Sequence, residues 1–284
     1  MSARAVETRA AARSAPPPLG QWSVRLTALA YLTIMVVIPV TVIAVDGLQD
    51  GIDGLWRAIR SPVALHALQL TLWTGAVMAA INAIMGTLTA HVLVRYEFFG
   101  KSVINALIDL PLAIPTLVTG LMLVLLYGPQ EALGAWLQRE VGLRVIFAPP
   151  GIILALLFVT MPFVVRAVQP VIQGLDREQE DAAATCGAGP WTIFRRVTLP
   201  VLAPPVISGT LLSFARAIGE FGAIVIVAGN IPLRSQTAAV YVLGEIESEN
   251  RRGASAMSVV MLAIAFILIV VIDLLQRSRG EETA

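Results

Sequence analysis

The chain has 284 residues, a formal net charge of +1, 57% hydrophobic and 14% charged residues, and a mean hydropathy of +0.79. So little charge, against about 25% in ordinary soluble domains, excludes a typical soluble protein, and the near-zero net charge removes a global electrostatic case for nucleic acid. The single cysteine, Cys186, excludes an intramolecular disulfide and a cysteine-built metal cluster, and no metal site is expected.

Residues 1–22 open the chain with an Ala/Arg/Pro-rich stretch that lacks apolar periodicity, so a disordered N-terminal segment is expected there. The membrane region should run over 23–276. A spanning helix needs about 20 apolar residues to cross a hydrocarbon core about 30 Å thick. Six stretches qualify: Leu26–Val45, a segment within Ser61–Val94, Ser102–Gly128, Pro150–Val168, Ala203–Ala228 and Gly253–Ile272. The first is too long for a signal-peptide core and lacks a small-x-small cleavage site before Asp46, so it reads as a retained anchor. Prolines 39, 111, 115 and 162 lie inside these stretches, which is tolerable where neighbouring groups satisfy the freed carbonyls. Between the first two stretches, Leu55–Ile59 should form a short interfacial helix with Trp56 at headgroup level. The expected class is an all-α membrane protein with six transmembrane helices. Of the 20 Lys and Arg, twelve fall in segments on the side of the N-terminus, seven on the other side, and Arg216 lies inside the fifth stretch. That bias places both termini, including the 277–284 tail, in the cytoplasm of a multi-pass inner-membrane protein.

The polar loop 174–200 between the fourth and fifth stretches carries the most information. Asp176, Glu178, Glu180 and Asp181 sit where acids complement the start of a helix. Ala182, Ala183 and Ala184 favour helix and allow another surface to approach closely. Gly187 and Gly189 end that helix, and Pro190 suits the first turn of a second one. Trp191, Phe194 and Val197 then recur every third residue beside Arg195 and Arg196, forming an apolar stripe. Two readings fit this helix–turn–helix: a docking surface covered by another protein, or an amphipathic helix lying on the membrane interface. Nearby, Gly100-Lys101-Ser102 imitates the end of a phosphate-binding loop. Arg95 stands where its first glycine belongs, so the chain has no ATPase site of that kind and is not itself expected to be an enzyme.

The loop resembles the signature of binding-protein-dependent ABC importer permeases: Glu-Ala-Ala, three residues, Gly, nine residues, an aliphatic, any residue, Leu-Pro. Here it reads Asp181-Ala182-Ala183, Gly187, then Val197-Thr198-Leu199-Pro200, with Asp in place of Glu. The resemblance implies the type I importer permease fold, with this loop as the coupling helix that docks into an ATPase subunit. Three further segments, Asp109–Pro115, Phe147–Pro162 and Phe214–Ala223, resemble the sulfate/thiosulfate permeases. Molybdate permeases share the Gly219-Glu220-Phe221-Gly222 element. Both the W-type and T-type members of the sulfate permease pair are matched in places. The implied partners are an ABC ATPase dimer, a second, related permease, an extracytoplasmic sulfate-binding protein and membrane lipid. ATP and Mg would belong to the ATPase, with no cofactor on this chain.

Arg216 and Glu220 are four residues apart within the fifth stretch, so they share a helix face and can pair. Counted from Ala203, Arg216 falls near the membrane centre and Glu220 nearer the outside. Two readings remain for them: an ion pair that fixes packing, or a charged lining of the translocation path or its gate. Gly219 and Gly222, flanking Phe221, leave room for two such helices to approach. Asp109 has a similar ambiguity, with a helix-start cap as its structural role. His66 and His91 read as interfacial or packing residues. A secondary transporter or a non-transporting scaffold are the rival classes, and both leave the loop pattern unexplained.

Overall fold

The computed structural model describes residues 18–280. Residues 1–17 and 281–284 lie outside the described residues, and with them most of the segment expected to be disordered and the end of the tail. From Pro18 the chain is already helical, and the last helix runs to Gly280. Every regular element among the described residues is a helix. In chain order they are α1 Trp22–Gly47, α2 Gly51–Ile59, α3 Pro62–Arg95, α4 Lys101–Ala113, α5 Thr116–Tyr127, α6 Ala132–Trp136, α7 Pro149–Gly174 and α8 Arg177–Thr185. They continue with α9 Pro190–Ile218, α10 Gly222–Val227, α11 Ala238–Glu247 and α12 Arg251–Gly280. Five helices are long and apolar enough to cross a membrane, or six if the bent pair α4–α5 is counted as one broken span. The short helix expected around Trp56 is present as α2, with the Arg60 guanidinium 4.6 Å above the indole centroid.

Helix α1 has exposed side chains along its apolar length. The core of the rest is built on α3, α7 and α9. Ser61 caps α3 by accepting from the Ala64 amide at 3.3 Å, and Pro62 occupies its first turn. Ala64, Ala67, Thr71, Thr74, Met78, Asn82, Gly86, Ala90 and Leu93 then recur at steps of three or four and are all buried, one seam down a 34-residue helix. That seam meets α7. Met78 shares a cluster with Ile152 and Leu156, while Ala90 and Leu93 share one with Val168 and Ile172. Low numbers meet low numbers, so α3 and α7 run parallel. Helix α9 runs antiparallel to α7, with Ser213 Oγ donating to the Thr160 carbonyl at 3.2 Å and Gly209 lying against Val164. At the centre, the Asn82 amide donates to Thr160 Oγ1 at 2.9 Å, a polar knot that fixes register between two apolar helices. Between helices that lie in lipid, these clusters hold by close van der Waals packing rather than by removal from water.

Because α3 and α7 are parallel, the chain between them must return from the end of α3 to the level where α3 began, and its helices α4 and α5 form a bent pair. The stretch expected as one span over 102–128 breaks at Ile114–Pro115, where the chain bends by 111° between α4 and α5. Proline explains the break. Ile114 is forced into an extended conformation (φ −81°, ψ 130°) by the residue that follows it, and Pro115 has no N–H to continue the ladder. At 1.5 Å per residue the two arms are about 20 and 18 Å long, and the bend brings their far ends to about 22 Å apart. The fifth stretch also departs from its expected 203–228 limits: α9 starts at Pro190, stops at Ile218, and is followed by a break before α10.

Candidate functional sites: the 174–200 loop and the Arg216–Glu220 break

Leu175 is extended and buried, and Asp176 then caps α8 by accepting from the Glu178 amide at 2.9 Å. The other end of α8 closes as a Schellman turn, with Ala188 N–H donating to the Ala183 carbonyl (3.1 Å) and Gly187 N–H to the Ala184 carbonyl (2.9 Å). Gly187 has φ +84°, and nothing lies within 4 Å of where a Cβ would stand. Its requirement is therefore conformational rather than steric. Gly189 is extended with a negative φ, and Pro190 starts α9.

The second helix expected in this loop is not a separate element, because it continues into the fifth span. Residues Phe194–Thr198 widen to a π-turn in which Leu199 N–H reaches back to the Phe194 carbonyl. Pro200 lacks the N–H that would bond the Arg196 carbonyl, so the wider turn accommodates the missing rung. The Leu199-Pro200 end of the motif is thus a locally unwound entry into a membrane helix.

The loop residues divide between two surfaces. Asp181, Ala182 and Gly187 are exposed on and beside α8, with Ala183 half-buried. Trp191 is 71% exposed and stacks on Phe194, with ring centroids 5.6 Å apart. Both rings border a groove shared with Ile84, Leu88 and His91 of α3. Val197 is half-buried, while Leu199 and Pro200 are exposed. Glu180 has a larger part than a helix-start charge. It pairs with Arg95 at 2.9 Å and accepts from Thr198 Oγ1 at 2.9 Å, tying α8 to the end of α3 and to the π-turn. Nothing in the spacing of Arg95, Glu180 and Thr198 pointed to this tie.

The second site lies at the break after α9. Arg216 falls in the last turn of α9, because the helix stops two residues later, at Ile218. There a cation complements the helix C-terminus. Arg216 Nη2 lies 2.8 Å from Glu220 Oε2, and the other carboxylate oxygen accepts from the Ala223 amide at 3.0 Å at the start of α10. Glu220 therefore bridges the facing ends of two helices. Its side chain is 1% exposed, against 37% for Arg216, so the carboxylate is fully engaged and the guanidinium retains an open side. The two glycines differ. A Cβ on Gly222 would overlap Thr116 Oγ1 of α5, whereas Gly219 has open space. Gly120 of α5 lies as closely against α10, its virtual Cβ 2.8 Å from the Ala223 carbonyl oxygen. The close approach is thus within the chain, between α5 and α10. Phe221 is partly exposed beside it.

Asp109 is not a helix-start cap. It lies deep in α4 and holds Arg166 of α7 through two hydrogen bonds, of 2.7 and 2.5 Å. Arg166 also donates to Asn105 Oδ1 (2.9 Å) and Gln169 Oε1 (2.6 Å), so this network pins the first arm of the bent pair to the core.

Comparison with known proteins bears on both sites. Residues 82–278 match the model of the binding-protein-dependent transport system inner membrane component family. A probable sulfate transport system permease protein cysT from Zygnema circumcarinatum is 37% identical over 261 residues, covering 91% of this chain and 89% of its own. The sulfate transport system permease protein CysT of Synechocystis is 36% identical over 247 residues, covering 87% and 86%. Among solved structures, a bacterial alginate ABC transporter in complex with an alginate pentasaccharide-bound periplasmic protein has a chain that superposes with a TM-score of 0.74. That match has 15% identity and covers 92% of this chain and 94% of that one, a likeness of fold alone. An amino acid ABC transporter chain gives a TM-score of 0.53 at 18% identity. A helical membrane fold, the loop pattern in its expected place and this similarity over nine-tenths of the length agree: the chain belongs to the binding-protein-dependent transport permeases, the membrane subunits of ABC importers.

Proposed function

We propose that this chain is the T-type permease of a sulfate/thiosulfate ABC importer of a bacterial inner membrane, with both termini in the cytoplasm. The observation that carries the reading is the 36–37% identity to permeases named for sulfate transport over most of both lengths. The exposed face of α8, from Asp181 to Gly187, is the coupling surface for an ABC ATPase dimer. That dimer binds ATP and Mg; this chain binds neither and hydrolyses nothing. A second, related permease completes the path, and an extracytoplasmic sulfate-binding protein delivers the anion.

The Schellman turn and the Glu180–Arg95 tie support the coupling role mechanically. A push on α8 passes through Glu180 into the end of α3 and through Thr198 into α9, so two core helices receive it together. At the far end of α9, Arg216 keeps one open side, and its positive charge favours a divalent anion passing the gate formed by Gly219, Glu220, Phe221 and Gly222. Molybdate permeases share that four-residue element, so the anion is the point to test. Radiolabelled sulfate uptake by the reconstituted complex, with thiosulfate and molybdate as competitors, should be ATP-dependent and suppressed by thiosulfate. Suppression by molybdate alone would assign the chain to the other oxyanion.

A further inference from the structure

The groove bordered by Trp191 and Phe194 is unlike the rest of the loop. It has a volume of about 780 Å³ and runs between α3 and the start of α9, past Ile84, Leu88 and His91 on one wall and Ile207 at its deep end. Its α3 wall, from Ala83 to His91, is about 12 Å long at 1.5 Å per residue, close to one leaflet of a hydrocarbon core about 30 Å thick. Ile84, Leu88 and Ile207 are exposed apolar residues on spanning helices, so the groove opens sideways toward the bilayer.

Its mouth has different chemistry. Trp191 stands there exposed, and Tyr96, also exposed, sets its ring edge-on to His91 with centroids 6.3 Å apart. Such aromatics settle at the headgroup level of a membrane. The next two residues after Phe194 are Arg195 and Arg196. Both are exposed, and neither forms an ion pair among the described residues. An apolar slot one leaflet deep, with aromatic residues at its mouth and two exposed arginines in the turn of α9 that follows Trp191, matches a phospholipid with an anionic headgroup.

We propose that this groove is a binding site for an anionic phospholipid, its acyl chain lying between α3 and α9 and its phosphate held by Arg195 and Arg196. The site adjoins the π-turn through which α8 joins the fifth span, so a lipid there would stiffen the coupling joint. This goes beyond the transport reading and does not depend on which anion is carried.

Trp191 is its own reporter among five tryptophans, and its signal is isolated as the difference between the parent and Trp191→Phe. The complex, purified with its partner subunits, is placed in phosphatidylcholine vesicles containing a minor share of phosphatidylglycerol. Bromine, which quenches indole, is carried either by that phosphatidylglycerol or by an equal amount of phosphatidylcholine. Quenching of Trp191 should be roughly fivefold stronger per arginine engaged when the anionic lipid carries the bromine. An Arg195→Gln/Arg196→Gln variant should lose that preference while phosphatidylcholine quenching stays. Ile84→Trp, which fills the groove and leaves both arginines, should lose it too when read as the Trp191 difference in that background. Equal quenching by both lipids in the parent means only an ordinary lipid annulus and overturns the site. No quenching by either means protein covers the groove, and overturns it as well.

Discussion

The loop at 174–200 and the break at 216–222 both interrupt helices beside a membrane, yet they are held in opposite ways. In the loop, the contacts that set the turn are local: Asp176 to Glu178, Ala188 to Ala183, Gly187 to Ala184. At the break, Glu220 also bonds locally, but the two glycines owe their difference to α5, about a hundred positions earlier in the chain. A glycine in the loop is needed for its backbone angle, and a glycine at the break for the space it leaves. Substitutions at the two places should therefore fail for different reasons and by different amounts.

The largest effect is expected at Arg216. Arg216→Gln leaves the Glu220 carboxylate buried without its partner, which costs about 3–5 kcal/mol when a buried pair is broken one-sidedly. The melting temperature of the purified permease should fall sharply, and Arg216→Gln/Glu220→Gln should recover most of it. Sulfate uptake separates the two roles of the pair. If the double variant regains stability but not uptake, the guanidinium serves the anion; full uptake in the double variant would leave the pair a packing device and nothing more.

Gly222→Ala comes next. Its methyl group must displace Thr116, and overpacking of this kind costs about 1–3 kcal/mol. Gly219→Ala, with open space and a negative φ, should change stability by no more than about 0.5 kcal/mol. Equal losses at both glycines would remove the distinction drawn between Gly222 and Gly219.

How much of this was legible in sequence follows the same division. The six apolar stretches, the helix start among the acids at 176–181, its end at Gly187 and the new start at Pro190 could be read, because each depends on residues within a few positions of one another. The Arg216–Glu220 pair was legible for the same reason, being one helical turn. Three things were not. Pro115 lay in view, but proline alone does not tell a tolerated kink from a 111° break, and the contact of α5 with α10 joins residues about a hundred positions apart. Glu180 looked like one more acid at a helix start, and its partner Arg95 is 85 positions away. Asp109 looked like a cap for want of any sign of Arg166.

In the loop the expected effects are smaller. Gly187→Ala places a Cβ in left-handed backbone, at about 1–2 kcal/mol, with no clash to add. Because the cost falls on the Schellman turn alone, global melting should barely move, while retention of the ATPase subunit during purification and ATP-driven uptake should both drop. Gly189→Ala, at a negative φ, should keep both. If the two variants behaved alike, the turn at Gly187 would not be what presents α8 to the ATPase.

Glu180→Gln is expected to cost little stability and to be the most informative about transmission. Arg95 is largely covered and Glu180 only partly so, with side chains 10% and 24% exposed, so the pair is worth more than a surface ion pair but remains within reach of solvent. The neutral amide can still accept from Thr198 and keep α8 near the π-turn, and a loss of about 1 kcal/mol or less is expected. The charge-assisted hold on Arg95 is what disappears. If the push from α8 reaches α3 through that bond, ATP hydrolysis should continue while uptake per ATP falls, and Glu180→Asp should restore little, because the shorter side chain cannot span both partners. Unchanged uptake per ATP in Glu180→Gln would confine the stroke to α9, leaving α3 to move only because it is packed against α7.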